Sequence, residues 1–291
     1  MKLSVSSYSF HQYLKAGKMT LPETVDRAAE IGFAGIEFTG LPTELSRDER
    51  LTLARELRRR AEKQGLSVVS YTVGANLWQP DEDARRTEVE RLCGELEIAA
   101  ALGAPVMRHD LVSKLDRSGT GRSFLGMMPT LAKSVREVAD RAAAMGIRTC
   151  SENHGRVAQD SYRVEQFAAL VDHDNYGLLV DMGNFLCVDE DPALAVSRVA
   201  NLAVHVHAKD MLICPLDTDG GAGIIATRGA MGLKPTAIGH GSVPVARCLS
   251  ILKRAGYDGW VSLEYEGKAD CLDAIRESFT TLTGYLEGPG L

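Results

Sequence analysis

An amphipathic helical stretch, a glycine placed to end it, and a short apolar or β-branched run recur five times along this chain. The pattern appears as Ala28-Ala-Glu-Ile-Gly32 before Gly35-Ile-Glu-Phe38, and as Glu62-Lys-Gln-Gly65 before Leu66-Ser-Val-Val-Ser-Tyr71. It returns as Ala100-Ala-Leu-Gly103 before Pro105-Val-Met107, as Ala143-Ala-Met-Gly146 before Ile147, and as Lys253-Arg-Ala-Gly256 before Trp260. Glycine suits the junction because the residue after a helix often adopts a left-handed conformation that costs glycine nothing. Helix followed by strand is therefore the rule, and such alternation implies a parallel sheet covered by helices.

Eight βα units follow, with strands near 2–8, 34–38, 66–72, 105–109, 147–152, 177–181, 202–207 and 260–264. The helices fall near 21–31, 46–64, 82–102, 124–145, 161–173, 191–200, 243–255 and 269–287, the first opened by the capping-box pattern Thr20-Leu-Pro-Glu23. An open doubly wound sheet shares this alternation. Eight units in 291 residues favour closure, so the expected fold is a single (β/α)8 barrel domain over 1–291. The connection 208–242 is by far the longest and carries Asp219-Gly-Gly-Ala-Gly223; read as structureless, it is a candidate lid. A second glycine-containing connection, Asp116-Arg-Ser-Gly-Thr-Gly-Arg122, opens on the same face.

Four of the strand runs end on side chains that bind metals: Ile147-Arg-Thr-Cys-Ser-Glu152, Leu178-Leu-Val-Asp181, Leu202-Ala-Val-His-Val-His207 and Trp260-Val-Ser-Leu-Glu264. One such ending is commonplace, a helix cap or a solvated carboxylate. Four spread over more than a hundred residues converge if the strands lie side by side and point the same way, as at the carboxyl face of a closed barrel. Three carboxylates and one imidazole form a hard, oxygen-rich donor set that suits Mn²⁺, Mg²⁺ or Co²⁺ better than a structural zinc site. Strand alternation puts His205 and His207 on one side, and His207 is chosen because it lies nearer the carboxyl end.

Composition narrows the function classes. A net charge of −6 supplies no basic footprint for nucleic acid, and Arg58-Arg59-Arg60 lies on the polar side of a helical pattern. Six cysteines without CxxC spacing fit a reducing compartment, and neither a signal sequence nor a membrane-length apolar run is present. The expectation is a cytoplasmic enzyme without nucleic-acid or membrane partners; pairing of exposed barrel helices into a homo-oligomer is left open.

The motifs Glu152-Asn-His-Gly155, Asp181-Met-Gly-Asn184, His207-Ala-Lys-Asp210, Gly239-His-Gly-Ser-Val-Pro244 and Ser262-Leu-Glu264 make the chain resemble the xylose-isomerase-like TIM-barrel family of sugar isomerases and epimerases. The resemblance runs from Ser7-Tyr-Ser-Phe10 to Glu264-Tyr-Glu-Gly267. It implies one divalent metal ion, Mn²⁺ first with Mg²⁺, Co²⁺ or Zn²⁺ as alternatives, held by Glu152, Asp181, His207 and Glu264. It also implies that Glu152 and Glu264 exchange protons with carbons of a small carbohydrate. One departure stands out, because ketose 3-epimerases of this family carry a His three residues after the metal Asp, where this chain has Asn184. An Asn hydrogen-bonds a hydroxyl but does not titrate.

Position adds substrate-binding candidates: His109 at the end of the fourth strand, Asn153 and His154 past Glu152, Asn184, Lys209 one strand period after His207, and His240. The leading expectation is a metal-dependent isomerase or epimerase of a small ketose, keto acid or related polyol, working by proton abstraction next to a carbonyl through an enediolate. The alternative is a dehydratase or other lyase that expels a β-oxygen from a keto sugar or inosose after the same abstraction. An apurinic-site endonuclease ranks lower, since such relatives need more histidines and a positive face than seven His and an acidic balance supply.

Overall fold

The computed structural model describes residues 1–112, 114–116, 119–216 and 223–288. Its strands in chain order are β1 (Lys2–Ser6), β2 (Gly35–Thr39), β3 (Ser67–Val73), β4 (Val106–His109), β5 (Arg148–Glu152), β6 (Tyr176–Asp181), β7 (Ala203–Ala208), β8 (Asp210–Cys214), β9 (Ile225–Ala226), β10 (Gly232–Thr236) and β11 (Trp260–Leu263). The helices are α1 (His11–Lys15), α2 (Leu21–Ile31), α3 (Arg47–Lys63), α4 (Glu82–Leu102), α5 (Phe124–Ala144), α6 (Ser161–Val171), α7 (Pro192–Val199), α8 (Val245–Arg254) and α9 (Cys271–Glu287). Strands β1 to β7 and β11 close into one barrel with every pairing parallel, β11 lying between β7 and β1. The fold is thus the (β/α)8 barrel expected from sequence. Among the described residues, no helix is long and apolar enough to cross a membrane.

The expected junctions account for much of this agreement. Gly32 and Gly103 end α2 and α4 with φ of 111° and 73°, the left-handed region that favours glycine. At the start of α2 the Thr20 N–H donates to Glu23 Oε2 at 2.6 Å, the capping contact its sequence announces. The apolar core fills the layer between strands and helices, where Val5, Ile36, Phe38, Leu57, Leu92, Leu96 and Phe167 are fully buried. Alternation turns the other half of each strand toward the barrel axis, and that interior is mostly polar. Ser4 and Ser262 share a hydrogen bond of 2.8 Å across it, and Ser6 and Thr39 one of 3.1 Å.

The connection expected to be structureless is not. Within it β8, β10 and β9 form a three-stranded antiparallel sheet, with Leu233 buried and paired to Ile213. Asp210 ties this sheet to the barrel mouth. Its carboxylate accepts from the N–H groups of Gly239 and Gly241 at 2.9 Å and of Val243 at 3.1 Å. A Cβ on Gly241 would lie 2.0 Å from Asp210 Oδ1, so only glycine permits this approach. Residues 219–222 of the Asp219–Gly223 run, and Arg117 and Ser118 of the second connection, lie outside the described residues.

Candidate metal centre

Glu152 and Asp181 are the last residues of β5 and β6, His207 is the penultimate residue of β7, and Glu264 follows β11 directly. Parallel pairing therefore delivers all four side chains to one end of the barrel. Potential ligand atoms from the four lie within 4.8 Å of one another. At their centre His207 Nδ1 sits 3.6 Å from Glu264 Oε2, 3.7 Å from Asp181 Oδ2 and 4.0 Å from Glu152 Oε1. Among the described residues that buried nitrogen has no hydrogen-bond partner. A buried polar atom without a partner is costly, and one ringed by three carboxylates fits a cation. Glu152, Asp181, His207 and Glu264 could thus hold a divalent ion through three oxygens and one nitrogen.

Each ligand is also held from behind. Asp181 Oδ1 accepts from the Gly183 and Asn184 N–H groups at 2.8 and 2.9 Å, which leaves Oδ2 for the cluster. Asn184 Nδ2 donates to Glu152 Oε1 at 2.7 Å, while Arg108 meets Glu152 Oε2 at 2.6 Å and Asp110 Oδ1 at 2.8 Å. Lys209 Nζ lies 2.5 Å from Glu264 Oε2, 3.1 Å from Asp181 Oδ2 and 3.2 Å from Glu266 Oε1. Gly183 makes room for this lysine, since a Cβ there would stand 2.9 Å from Lys209 Cγ.

The electrostatics separate the two glutamates. Burial pushes the Glu152 carboxyl up, and the opposing charge of Arg108 does not cancel it. Burial acts the same way on Glu264, but the charges of Lys209 and His207 outweigh it and hold that carboxyl well below its usual range. For Lys209 itself burial favours the neutral amine, yet Asp181, Glu264 and Glu266 together raise it well above the ordinary lysine value. The ammonium is therefore kept charged, and Glu152 is the more basic of the two glutamates.

Among the other sequence candidates, Asn184 and Lys209 join the cluster. His154 stands half-exposed at its rim, with Nδ1 3.0 Å from Asp110 Oδ1. Burial lowers the affinity of this imidazole for a proton, but the Asp110 hydrogen bond and the Glu152 charge raise it above the ordinary value. Asn153 is buried with its amide spent on the next strand, taking the Asp181 N–H at 2.8 Å and donating to the Asp181 carbonyl at 2.9 Å. His240 is exposed and paired with Glu277 at 2.7 Å.

His109 requires a correction, since it was expected to face the cavity. Arg108 takes the inward place on β4, and alternation turns His109 toward α4, near Glu88 and Arg91. Inward charged residues that escaped the sequence reading include Arg108 and the fully buried Glu37 on β2. The signal was present at Glu37, a charged residue between apolar neighbours in Gly35-Ile-Glu-Phe38, but it falls within the strand instead of at its end.

A cavity of about 600 Å³ opens between the ends of β1 and β2, lined by Tyr8, His11, Leu14, Lys15 and Leu41 among others. Tyr8 links it to the cluster: burial raises its phenol, and the charges of Glu266 and Glu264 raise it further.

The family model of xylose isomerase-like TIM barrels matches residues 25–284. The rhizopine catabolism protein MocC of Rhizobium meliloti is 25% identical over 86% of this chain and 76% of its own length. Inosose dehydratase of Geobacillus thermodenitrificans is 23% identical over 86% of this chain and 83% of its own. Among solved structures, D-psicose 3-epimerase of Clostridium cellulolyticum superposes with a TM-score of 0.76 at 19% identity, covering 99% of this chain and 100% of its own. The IolI protein, whose structure carries a bound zinc atom, gives 0.76 at 16% identity and 98% coverage of both chains. At these identities the structural likeness is one of fold.

Proposed function

Because this chain belongs to the xylose isomerase-like TIM-barrel family, we propose that it is a metal-dependent lyase that removes water from a small keto-polyol or cyclic keto sugar, the alternative that sequence ranks second. The observation that carries this reading is the Lys209 ammonium, 2.5 Å from Glu264 and 3.1 Å from Asp181. Glu152 takes the proton from the carbon beside the carbonyl. The electron pair forms the new C=C bond as the C–O bond at the β-carbon breaks, and the departing oxygen takes a proton from Lys209 and leaves as water. A charged lysine suits the second step because a hydroxide-like leaving oxygen is far more basic than an amine. Asn184 keeps Glu152 Oε1 in place without competing for the proton. A divalent ion held by Glu152, Asp181, His207 and Glu264 supplies Lewis-acid polarisation of the carbonyl when bound. The oxygen-rich donor set favours Mn²⁺ or Mg²⁺, and zinc in the IolI protein keeps Zn²⁺ in view.

The relatives support elimination, since inosose dehydratase acts by it and matches over most of this chain. Isomerisation or epimerisation is the second reading. It is favoured by the presence of two glutamates, Glu152 and Glu264, in one cluster, the number a two-base exchange requires. It is disfavoured by the ion pair that holds Glu264 unprotonated and by an Asn184 that cannot titrate. Incubation of the Mn²⁺-loaded enzyme with inososes and keto sugars in D₂O distinguishes the two. Elimination gives a new ultraviolet-absorbing enone, and Lys209→Met lowers its formation by about 10²–10⁴-fold, the range for loss of a general acid. Deuterium at the α-carbon of an isomerised product without enone would establish the second reading instead.

A further inference from the structure

Glu37 is wholly buried in the barrel interior and meets two imidazoles at once. Its Oε1 and Oε2 lie 3.0 and 3.1 Å from His207 Nε2, and Oε2 lies 2.8 Å from His205 Nε2. His205 Nε2 is also 2.9 Å from Ser262 Oγ, which continues to Ser4 Oγ at 2.8 Å. An ionised carboxylate only accepts, so in each contact with Glu37 the proton resides on Nε2 of the ring. A histidine whose Nε2–H is so fixed turns the lone pair of Nδ1 outward. On His207 that atom is the buried nitrogen without a partner, facing Glu152, Asp181 and Glu264.

We infer that Glu37 is a positioning residue: it fixes His207 as the Nε2–H tautomer, aims Nδ1 at the cation, and holds His205 beneath as a packed brace. The inference rests on the metal reading of the quartet. It gives a single buried carboxylate on β2 control over a ligand on β7, 170 residues away in sequence. It also accounts for His205, one strand period below the ligand and identical in type, as a residue that does not bind the ion. Ligand atoms of Glu37, His205 and His207 lie close enough to hold a second cation, but their separations are those of hydrogen bonds, and His207 Nε2 cannot both donate to Glu37 and ligate.

Zn²⁺ titration of chelator-stripped protein by calorimetry tests this, because Zn²⁺ is diamagnetic and permits imidazole ¹⁵N spectra of the same samples. The expected result is one ion per chain for the unaltered protein and for Glu37→Gln, with affinity 10–100-fold weaker in the variant, the usual loss when such a partner is altered. In the Zn²⁺-loaded unaltered protein His207 should show a ligated Nδ1 and a protonated Nε2. That spectrum decides the matter even if Glu37→Gln fails to fold. Equal affinity in the variant, Nε2 as the ligated nitrogen, or a second ion lost with Glu37 would each overturn the inference while leaving a metal in place. Failure of the unaltered protein to bind Zn²⁺ or Mn²⁺ would remove the metal reading and the inference with it.

Discussion

Along each barrel strand one side chain in two faces the axis and the next faces the helices, and these two populations differ in kind. Outward on β1, β2 and β6 stand Val5, Ile36, Phe38, Leu178 and Val180, all buried and apolar. Inward stand Ser4, Glu37, Arg108, Glu152, Asp181, His205, His207 and Ser262, also buried but polar or ionisable, with Leu179 on β6 an apolar exception. The outer layer follows the ordinary hydrophobic rule, with fully buried large side chains each stabilising by about 1.5–3 kcal/mol. The inner set breaks that rule and remains tolerable only because each charge has a partner: Lys209 against Asp181 and Glu264, Arg108 against Glu152 and Asp110, the histidines against Glu37. Buried ion pairs contribute little net stability once desolvation is counted. The comparison teaches that one β-strand can serve both purposes, folding through one face and chemistry through the other, because a period of two keeps the faces separate.

That separation predicts opposite phenotypes from substitutions on adjacent layers. Glu152→Gln leaves Arg108 paired with Asp110 and removes the proposed base. Enone formation should fall by about 10²–10⁴-fold, while the thermal midpoint stays within a few degrees. A variant that forms enone normally would refute the assignment of Glu152, and one that unfolds would refute the division of labour. Phe167→Ala is the converse. Phe167 on α6 is fully buried against Phe124 and Tyr176, with ring centroids 5.8 and 6.4 Å away. Its truncation should cost about 3–5 kcal/mol in denaturant unfolding. Enone formation per folded molecule should be unchanged, and a loss of turnover in the folded fraction would mean that the outer layer governs the site.

How far the sequence reached follows from the same geometry. The barrel strands lie within about two residues of their expected positions because helix-ending glycines mark their approach, as at Gly32 before β2 and Gly103 before β4. Convergence of Glu152, Asp181, His207 and Glu264 was legible because each lies at or beside a strand's carboxyl end, where parallel order alone brings them together. What escaped depended on parity or on distant pairing. Choosing His109 over Arg108 is an error of one residue, and in a strand one residue reverses the face. Glu37 sits one layer below the mouth, and its role exists only through His205 and His207 on the far side of the barrel. The sheet of β8, β9 and β10 was hidden because its pairing spans the glycine-rich run, which reads locally as loop.

The smallest effect tests whether a buried charge always signals chemistry. Glu88 on α4 is largely buried yet lies outside the barrel interior, taking the Asn76 N–H at 3.0 Å and two Arg91 hydrogen bonds of 2.8 Å. Burial pushes its carboxyl up, but Arg91 and the Asn76 N–H outweigh it and the carboxyl lies below its usual range. Because the folded value is depressed, its contribution is fully present above the unfolded glutamate range near about 4.3 and is lost as pH falls through the folded value. Hydrogen bonds to a charged group are worth about 1.5–3 kcal/mol, so Glu88→Gln should lower unfolding stability at neutral pH by up to that amount. In urea titrations repeated from pH 7 down to pH 3, the gap between the two proteins should narrow below about pH 4, with enone formation at neutral pH the same in both. A gap that stays constant with pH would show that the loss is steric and not electrostatic. A loss of enone formation would place this outer carboxylate in the chemistry and blur the boundary between the two faces of the wall.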